Sequence, residues 1–224
     1  MPRTGRIVAE RLPHHITQRG NYRQDIFLDR EDRERYLVLI SEYSRKYKLS
    51  ILAYCLMNNH VHFIGIPKNK DSLAKTFNTS HMRYSQYFNK KKGERGHLWQ
   101  GRFYSCVLDE EHLLSACRYI ERNPVRAKLI DKAWKWEYSS ALVHTGKRED
   151  KLFNLGDFFE YADIRRGEWK RYIECRDKEG EIEEIKRHTL TGRPLGDIKF
   201  IEKLEKKFKK RLRPLAWGRP KKKK

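Results

Sequence analysis

The sequence predicts an α+β fold of the ferredoxin-like (split βαβ) kind: an antiparallel sheet with helices on one face, followed by a basic C-terminal extension. Three observations predict it. Strand-like and helix-like apolar periods alternate in the order β-α-β-β-α-β, then α. Cap and turn residues separate them. The positive charge is concentrated at the end of the chain: the 224 residues carry +21 overall, and residues 199–224 hold 13 basic and 2 acidic side chains, about half of the net charge.

The elements follow in order. Leu12 to Arg19 reads as a short strand that Gly20-Asn21 ends. Asp29 can cap a helix running to about Lys48, with Tyr36, Leu37, Ile40, Tyr43 and Tyr47 at helical spacing. Ser50 to Met57 is rich in strand formers, Asn58-Asn59 is a turn signal, and His60 to Ile66 is the second arm of a hairpin. Asp71 or Ser72 caps the next helix, whose buried side is Leu73, Phe77, Tyr84 and Phe88 and whose end Gly93 marks. Arg102 to Leu108 is a fourth strand. Asp109 caps a third helix, with Glu110 and Glu111 where the helix dipole favours acids. In a split βαβ sheet the first and third strands are central, so His60 to Ile66 lies mid-sheet. After Ser140 the periodicity weakens, leaving short helices around Leu155 to Tyr161 and Trp169 to Ile173 and a last one from Asp197 to Lys210. The chain divides accordingly into a main domain (1–145), a mixed helical or linker region (146–190) and a basic tail (191–224).

Composition narrows the partner. Charged residues make up 36% of the chain and hydrophobic ones 38%. No apolar run is long enough to span a bilayer, and Met1 to Arg6 lead into no apolar signal core, so a secreted or membrane protein is not expected. Cys55, Cys106, Cys117 and Cys175 form no C-x-x-C pair, which fits free thiols in a reducing cytoplasm without disulfides or a zinc knuckle. The excess charge needs a polyanion. Its short runs interleave with aromatics, as in Arg83 to Lys92, which suits phosphates and stacked bases better than a membrane surface.

His60-Val61-His62 places two imidazoles on one face of the central strand, where they can share a divalent metal. Taken blindly, an H-x-H is more often two satisfied polar residues on a half-open sheet face. The third helix has its apolar stripe at Leu113, Leu114, Cys117 and Ile120. Tyr119 lies off that stripe, on the face of His112, Ser115 and Asn123, and Pro124 forces the helix to finish near Asn123. With 12 tyrosines in the chain, spacing alone does not single this one out. His14 and His15 face opposite ways on the first strand and read as structural, although one can line a site on the neighbouring strand.

Five stretches taken together resemble the REP-associated tyrosine transposases, a branch of the HUH single-tyrosine transposases. They are Thr17-Gln18-Arg19-Gly20-Asn21, Ala53-Tyr54-Cys55-Leu56-Met57-Asn58-Asn59-His60-Val61-His62, Gly96-His97-Leu98-Trp99-Gln100-Gly101-Arg102-Phe103, Arg118-Tyr119-Ile120-Glu121-Arg122-Asn123-Pro124-Val125-Arg126-Ala127 and Thr191-Gly192-Arg193-Pro194-Leu195-Gly196. H-V-H alone is weak, but the ordered set is specific. The departures, Asn58 where the family often has Pro and Lys128 where it often has Gly, are turn or cap positions and remove no chemical group.

The resemblance implies roles. His60, His62 and Asn123 look like the metal ligands for Mg²⁺ or Mn²⁺, and Tyr119 looks like the nucleophile of a transesterase that nicks and rejoins DNA through a 5′-phosphotyrosine. The substrate it implies is single-stranded or hairpin DNA of the REP-like palindromic kind, handled in the bacterial cytoplasm in association with the nucleoid. Arg19, Asn21, Gln100, Arg102, Arg126 and Arg193 are expected DNA contacts, with Trp99, Phe103, Tyr84 and Tyr87 as possible stacking rings and Tyr84 read rather as core. In the tail, Arg219, Lys221 and Lys222 belong to a Gly-Arg-Pro core flanked by Lys that can lie in a narrow minor groove or clamp a polyanion unspecifically. A monomer is expected over a homodimer. Two other readings use the same residues: a domesticated, non-catalytic DNA- or RNA-binding protein that recognises hairpins, and a relaxase, which usually carries paired tyrosines or a helicase domain that this sequence lacks.

Overall fold

A computed structural model of the chain describes residues 6–214. Four antiparallel strands, β1 (His14–Arg19), β2 (Leu49–Leu56), β3 (His60–Pro67) and β4 (Tyr104–Val107), form one sheet in the order β2-β3-β1-β4. This is the split βαβ arrangement with β1 and β3 central. Helices α1 (Arg30–Lys46) and α2 (Ser72–Lys92) make the two crossovers, and α3 (Glu110–Glu121) follows β4. The local signals act as their chemistry dictates. Asp29 accepts the Asp32 backbone N–H at 3.0 Å and Asp109 that of His112 at 2.8 Å, satisfying donors that a helix start leaves free. Gly93 closes α2 in the left-handed region at φ 67°, where a side chain would be strained.

Alternation along the strands sends successive residues to opposite faces, and each face has its own core. Ile16, Tyr54 and Phe63 pack against Tyr36 and Ile40 of α1 and Phe77 and Tyr84 of α2. Cys55, Ile64 and Cys106 pack on the other side against Leu113, Cys117 and Ile120 of α3. The expectation of helices on one face therefore holds for the two crossover helices, while the opposite face is covered as well. Residues after 145 complete that cover: α6 (Asp157–Tyr161), α7 (Arg166–Glu174) and α8 (Glu179–Thr191) bring Phe158, Trp169, Ile173 and Ile185 into the same core. Two shorter helices, α4 (Asn123–Arg126) and α5 (Ala141–His144), lie between.

Both sheet edges are covered. At the β2 edge, Leu56 N donates to Tyr138 O and Ser140 N to Tyr54 O. At the β4 edge, Leu195 N donates to Val107 O, and α9 (Ile198–Phe208) closes a third small core of Ile7, Ala9, Val107, Leu204 and Leu212. Covering an edge removes unpaired backbone groups that would otherwise recruit another strand. The last segment of the basic extension, 215–224, lies outside the described residues. Among those described, no helix is long and apolar enough to cross a membrane.

Candidate active site

His60 and His62 project from the same face of β3, their ring centres 5.0 Å apart and nearly perpendicular. Register decides what stands beside them. Arg19 pairs with His60 and Thr17 with His62, so His15 lies diagonally across from His62 on the same face. Helix α3 runs over this face and lays the Tyr119 ring edge-on at 5.6 Å from that of His62 and 5.8 Å from that of His15. The sequence reading put Tyr119 on the polar side of its helix. The structure buries it to 8% exposure, in one core with Trp169 and Ile173 of α7 and Ile185 of α8, and nearly every residue in the second half of α3 is buried.

The next turn brings Asn123. Helix α3 stops at Glu121, and Pro124 enters the first turn of α4, where its missing N–H costs nothing. The Asn123 amide nitrogen stands 3.2 Å from His60 Nε2. On the other side of that ring, Nδ1 lies 2.7 Å from Asn59 Oδ1, and the Asn59 amide nitrogen donates to the Arg23 carbonyl at 3.2 Å. A carbonyl only accepts, so the amide is fixed, His60 Nδ1 must donate, and Nε2 keeps its lone pair. Burial, with Arg19 and Arg126 nearby, pushes the His60 pKa down to about 4. Burial lowers His62 further, assisted by His60, His15 and Arg126. Both rings are neutral at physiological pH, the state that can ligate a metal.

Among the described residues no three His, Cys, Asp or Glu side chains come together to hold a metal. A cation here would rest on two imidazole nitrogens and the Asn123 amide, with its remaining positions open to solvent or substrate oxygens. That donor set fits: the imidazoles are uncharged, they share one face, and His62 commits Nδ1 to His15 at 2.9 Å, leaving Nε2 for a ligand. Mixed nitrogen and oxygen donors suit Mn²⁺ well and Mg²⁺ acceptably.

The helix that carries Tyr119 is held by a buried carboxylate. Glu121 accepts from His144 Nδ1 at 2.6 Å, Trp169 Nε1 at 3.2 Å and Ser140 Oγ. The sequence reading assigned no role to Glu121 or His144.

The expected DNA contacts divide into three sets. Arg19 and Gln100 are exposed and bond to each other at 3.1 Å beside His60, and Asn21 follows them, its backbone N–H donating to Leu98 O. Arg102 and Arg193 line a cavity of about 420 Å³ together with Arg6, Lys210 and Arg211. Arg126 is drawn inward: its guanidinium lies 4.3 Å from the centre of the Tyr119 ring and 3.5 Å from Asp177. Arg219, Lys221 and Lys222 lie outside the described residues. Burial takes Trp99 and Phe103 out of the set of proposed stacking rings and agrees with Tyr84 as core. Trp99 packs on His81, Phe103 lies under Arg6 at 3.5 Å, and Tyr84 is core; only Tyr87 keeps a partly open position, bonded to Asp32. Among the described residues the most exposed tyrosine ring is Tyr22, 93% exposed, on a left-handed backbone at φ 51° just past β1. Its neighbour Arg23 adjoins His60 through Asn59, and only its place after the first strand could have flagged it.

The sheet carries paired histidines with a tyrosine helix across its face, and residues 9–123 match the family model described as "Transposase IS200 like". The chain belongs to that family. A Haemophilus influenzae protein named as a REP-associated tyrosine transposase is 28% identical over 143 residues, spanning 56% of this chain and 81% of its own. A solved structure titled as a REP-associated tyrosine transposase bound to a REP hairpin shares the fold with a TM-score of 0.53 at 16% identity, covering 69% of this chain and 98% of that one. These relatives carry the family name that the five sequence stretches suggested.

Proposed function

We propose that the protein is a metal-dependent, single-strand-specific DNA transesterase of the transposase type, which nicks and rejoins hairpin DNA through a 5′-phosphotyrosine. One observation carries the reading: the Tyr119 ring sits 5.6 Å from that of His62, within one chain and on the face that also bears His60 and Asn123. His60, His62 and the Asn123 amide would hold the cation, which would supply Lewis-acid polarisation of the phosphate. The chain's own groups do the rest. Tyr119 Oη forms a bond to phosphorus, the P–O3′ bond breaks, the phenolic proton passes to solvent and the departing 3′ oxygen takes one up. The phosphotyrosine keeps the energy of the broken bond, so a second 3′-hydroxyl can reverse the step and join strands.

The phenol is stored in its neutral form. Burial raises the Tyr119 pKa, while the Arg126 guanidinium against its ring pulls the other way. Ionisation therefore needs a cation or a base beside the phenol at the moment of attack. Arg19 and Gln100 are placed to steady the strand beside His60, and the cavity of Arg102 and Arg193 offers charge for phosphates further along. Tyr22 offers an exposed ring for an unpaired base. Tyr22→Ala is expected to weaken single-strand binding about ten-fold, as a lost stacking platform does, with the fold unchanged; fluorescence anisotropy on a labelled oligonucleotide measures it.

The test of the whole reading is a labelled hairpin oligonucleotide incubated with the protein and Mg²⁺ or Mn²⁺, then resolved on a denaturing gel. A band of covalent protein–DNA adduct is expected, absent with chelator. Salt-sensitive hairpin binding with no adduct under either metal would leave a binding protein in place of the enzyme.

A further inference from the structure

Behind His62 stands a chain of hydrogen bonds that the site itself does not require. His62 Nδ1 is 2.9 Å from His15 Nε2, and His15 Nδ1 is 2.7 Å from Thr189 Oγ1. Thr189 sits on α8, 174 positions further along the chain than His15, beyond the residues that the family model matches. All three side chains are buried, with exposures of 5%, 1% and 2%. The His15 and His62 rings are stacked, 5.1 Å between centres and only 13° from parallel.

Two proton arrangements satisfy both contacts. In one, His15 donates from Nδ1 to Thr189, His62 donates from Nδ1 to His15, and His62 Nε2 keeps a lone pair for a metal. In the other, every proton in the chain is reversed, and His62 Nε2 carries a hydrogen that excludes a cation. Thr189 decides between them. Its hydroxyl lies 2.7 Å from the Ile185 carbonyl, which can only accept. A threonine has one proton to give. Donating it to Ile185 leaves Oγ1 as acceptor for His15, which selects the first arrangement; donating it to His15 forfeits the bond to Ile185. A net hydrogen bond contributes about 0.5–1.5 kcal/mol, enough to bias the two states several-fold.

We infer that His15 and Thr189 are positioning residues: a buried relay from α8 through β1 sets the tautomer of His62 so that Nε2 faces the metal position as an acceptor. This rests on the metal-binding reading of His60 and His62, and it deepens that reading by tying the site to the C-terminal helices. Partners behind a ligating imidazole commonly change metal affinity by 10–100-fold.

Two measurements test it. In the metal-free protein, long-range ¹H–¹⁵N spectra report which ring nitrogen of His62 carries the proton: Nδ1 is expected, and a proton on Nε2 overturns the relay. Mn²⁺ titration followed by electron paramagnetic resonance gives the affinity. Thr189→Val, which removes only the hydroxyl and touches no ligand, is expected to weaken Mn²⁺ binding about ten-fold and to shift the His62 proton toward Nε2. His15→Phe should weaken it further, while Thr189→Ser and His15→Gln, which keep a donor and an acceptor in place, should bind within about two-fold of wild type. Equal Mn²⁺ binding by a folded Thr189→Val overturns the proposal, and this conservative variant decides if His15→Phe does not fold. If the wild type itself binds no Mn²⁺, the metal-site reading fails, and the tautomer spectra of wild type and Thr189→Val still decide the relay.

Discussion

Tyr119→Phe is expected to abolish the covalent protein–DNA adduct, a loss of at least about 10⁴-fold, while hairpin binding stays within about two-fold. The substitution removes one oxygen. The ring remains, still edge-on to His15 and His62 and still covered by Arg126, so packing and the histidine geometry persist, and stability should change by less than about 1 kcal/mol. What disappears is the only atom proposed to attack phosphorus, and a missing nucleophile is not replaced by its neighbours at comparable rate. The gel assay described above reads the adduct, and a filter-binding assay under chelator reads affinity. One outcome separates this chemistry from simple hydrolysis. If Tyr119→Phe still nicks the hairpin at near wild-type rate and leaves a free 5′-phosphate, water is the nucleophile and the tyrosine only lines the site.

The sequence makes the scaffold of this site readable where the deciding forces are local. Asp29, Asp109 and Gly93 mark helix ends because each acts on backbone groups within a few residues, and the helices begin and end within a few positions of where those residues place them. The central place of the third strand follows from the βαββαβ order, and it puts His60 and His62 mid-sheet. The neighbour of His62 was half legible: strand alternation leaves either His14 or His15 facing it, and the register selects His15. What stayed hidden depends on contacts between distant parts of the chain. Helix α8 is nearly half charged and buries only Ile185 and Thr189, so no local period reveals that it presses a hydroxyl onto His15. The inward position of Tyr119 has the same origin, since it shares a core with residues of α7 and α8 far along the chain. Trp99 and Phe103 sit in a stretch that reads as polar and exposed, yet they fill space beneath His81 and Arg6. Glu121 is a charged residue within a motif, and only the arrival of Ser140, His144 and Trp169 explains its burial.

Acid should unfold this protein well above the pH at which ordinary carboxylates protonate, and the cause is imidazoles that the core keeps neutral. His14 uses both ring nitrogens: Nδ1 donates to Leu12 O at 2.8 Å and Nε2 accepts the Ala9 N–H at 3.1 Å. Burial pushes its pKa down to about 4, with Arg6 adding to the effect and the Leu12 bond opposing it. His81, between Trp99 and the Tyr36 hydroxyl, is pushed down to about 3 by burial. Both start from an ordinary value of 6.5. Because the folded pKa lies below the unfolded one, the unfolded chain takes up protons first as pH falls. The stability they contribute is whole above about pH 6.5 and is lost progressively down to about pH 4 for His14 and about pH 3 for His81. Each imidazole changes the balance by about 1.4 kcal/mol per pH unit, so the two together give a slope of roughly 3. Over two units that reaches roughly 5 kcal/mol, the lower end of the whole stability of a typical domain. His15, His60 and His62, lowered by the same burial, add to this in the same direction, and two other groups do not reverse it. Glu205, held down to about 2 by the backbone N–H groups of Arg213 and Leu212, loses its contribution only at lower pH. His112, raised by its bond to Asp109, contributes in the opposite sense, but as a half-exposed pair near the surface it is worth little. Urea denaturation followed by circular dichroism at about pH 7, 6 and 5 should show the unfolding free energy falling steeply. His81→Phe should be less stable at neutral pH, having orphaned the Tyr36 hydroxyl, yet its slope should flatten by about 1.4 kcal/mol per unit. A wild-type stability that stays level from pH 7 to 5 would mean that these rings are protonated inside the fold, with acceptors other than the ones described.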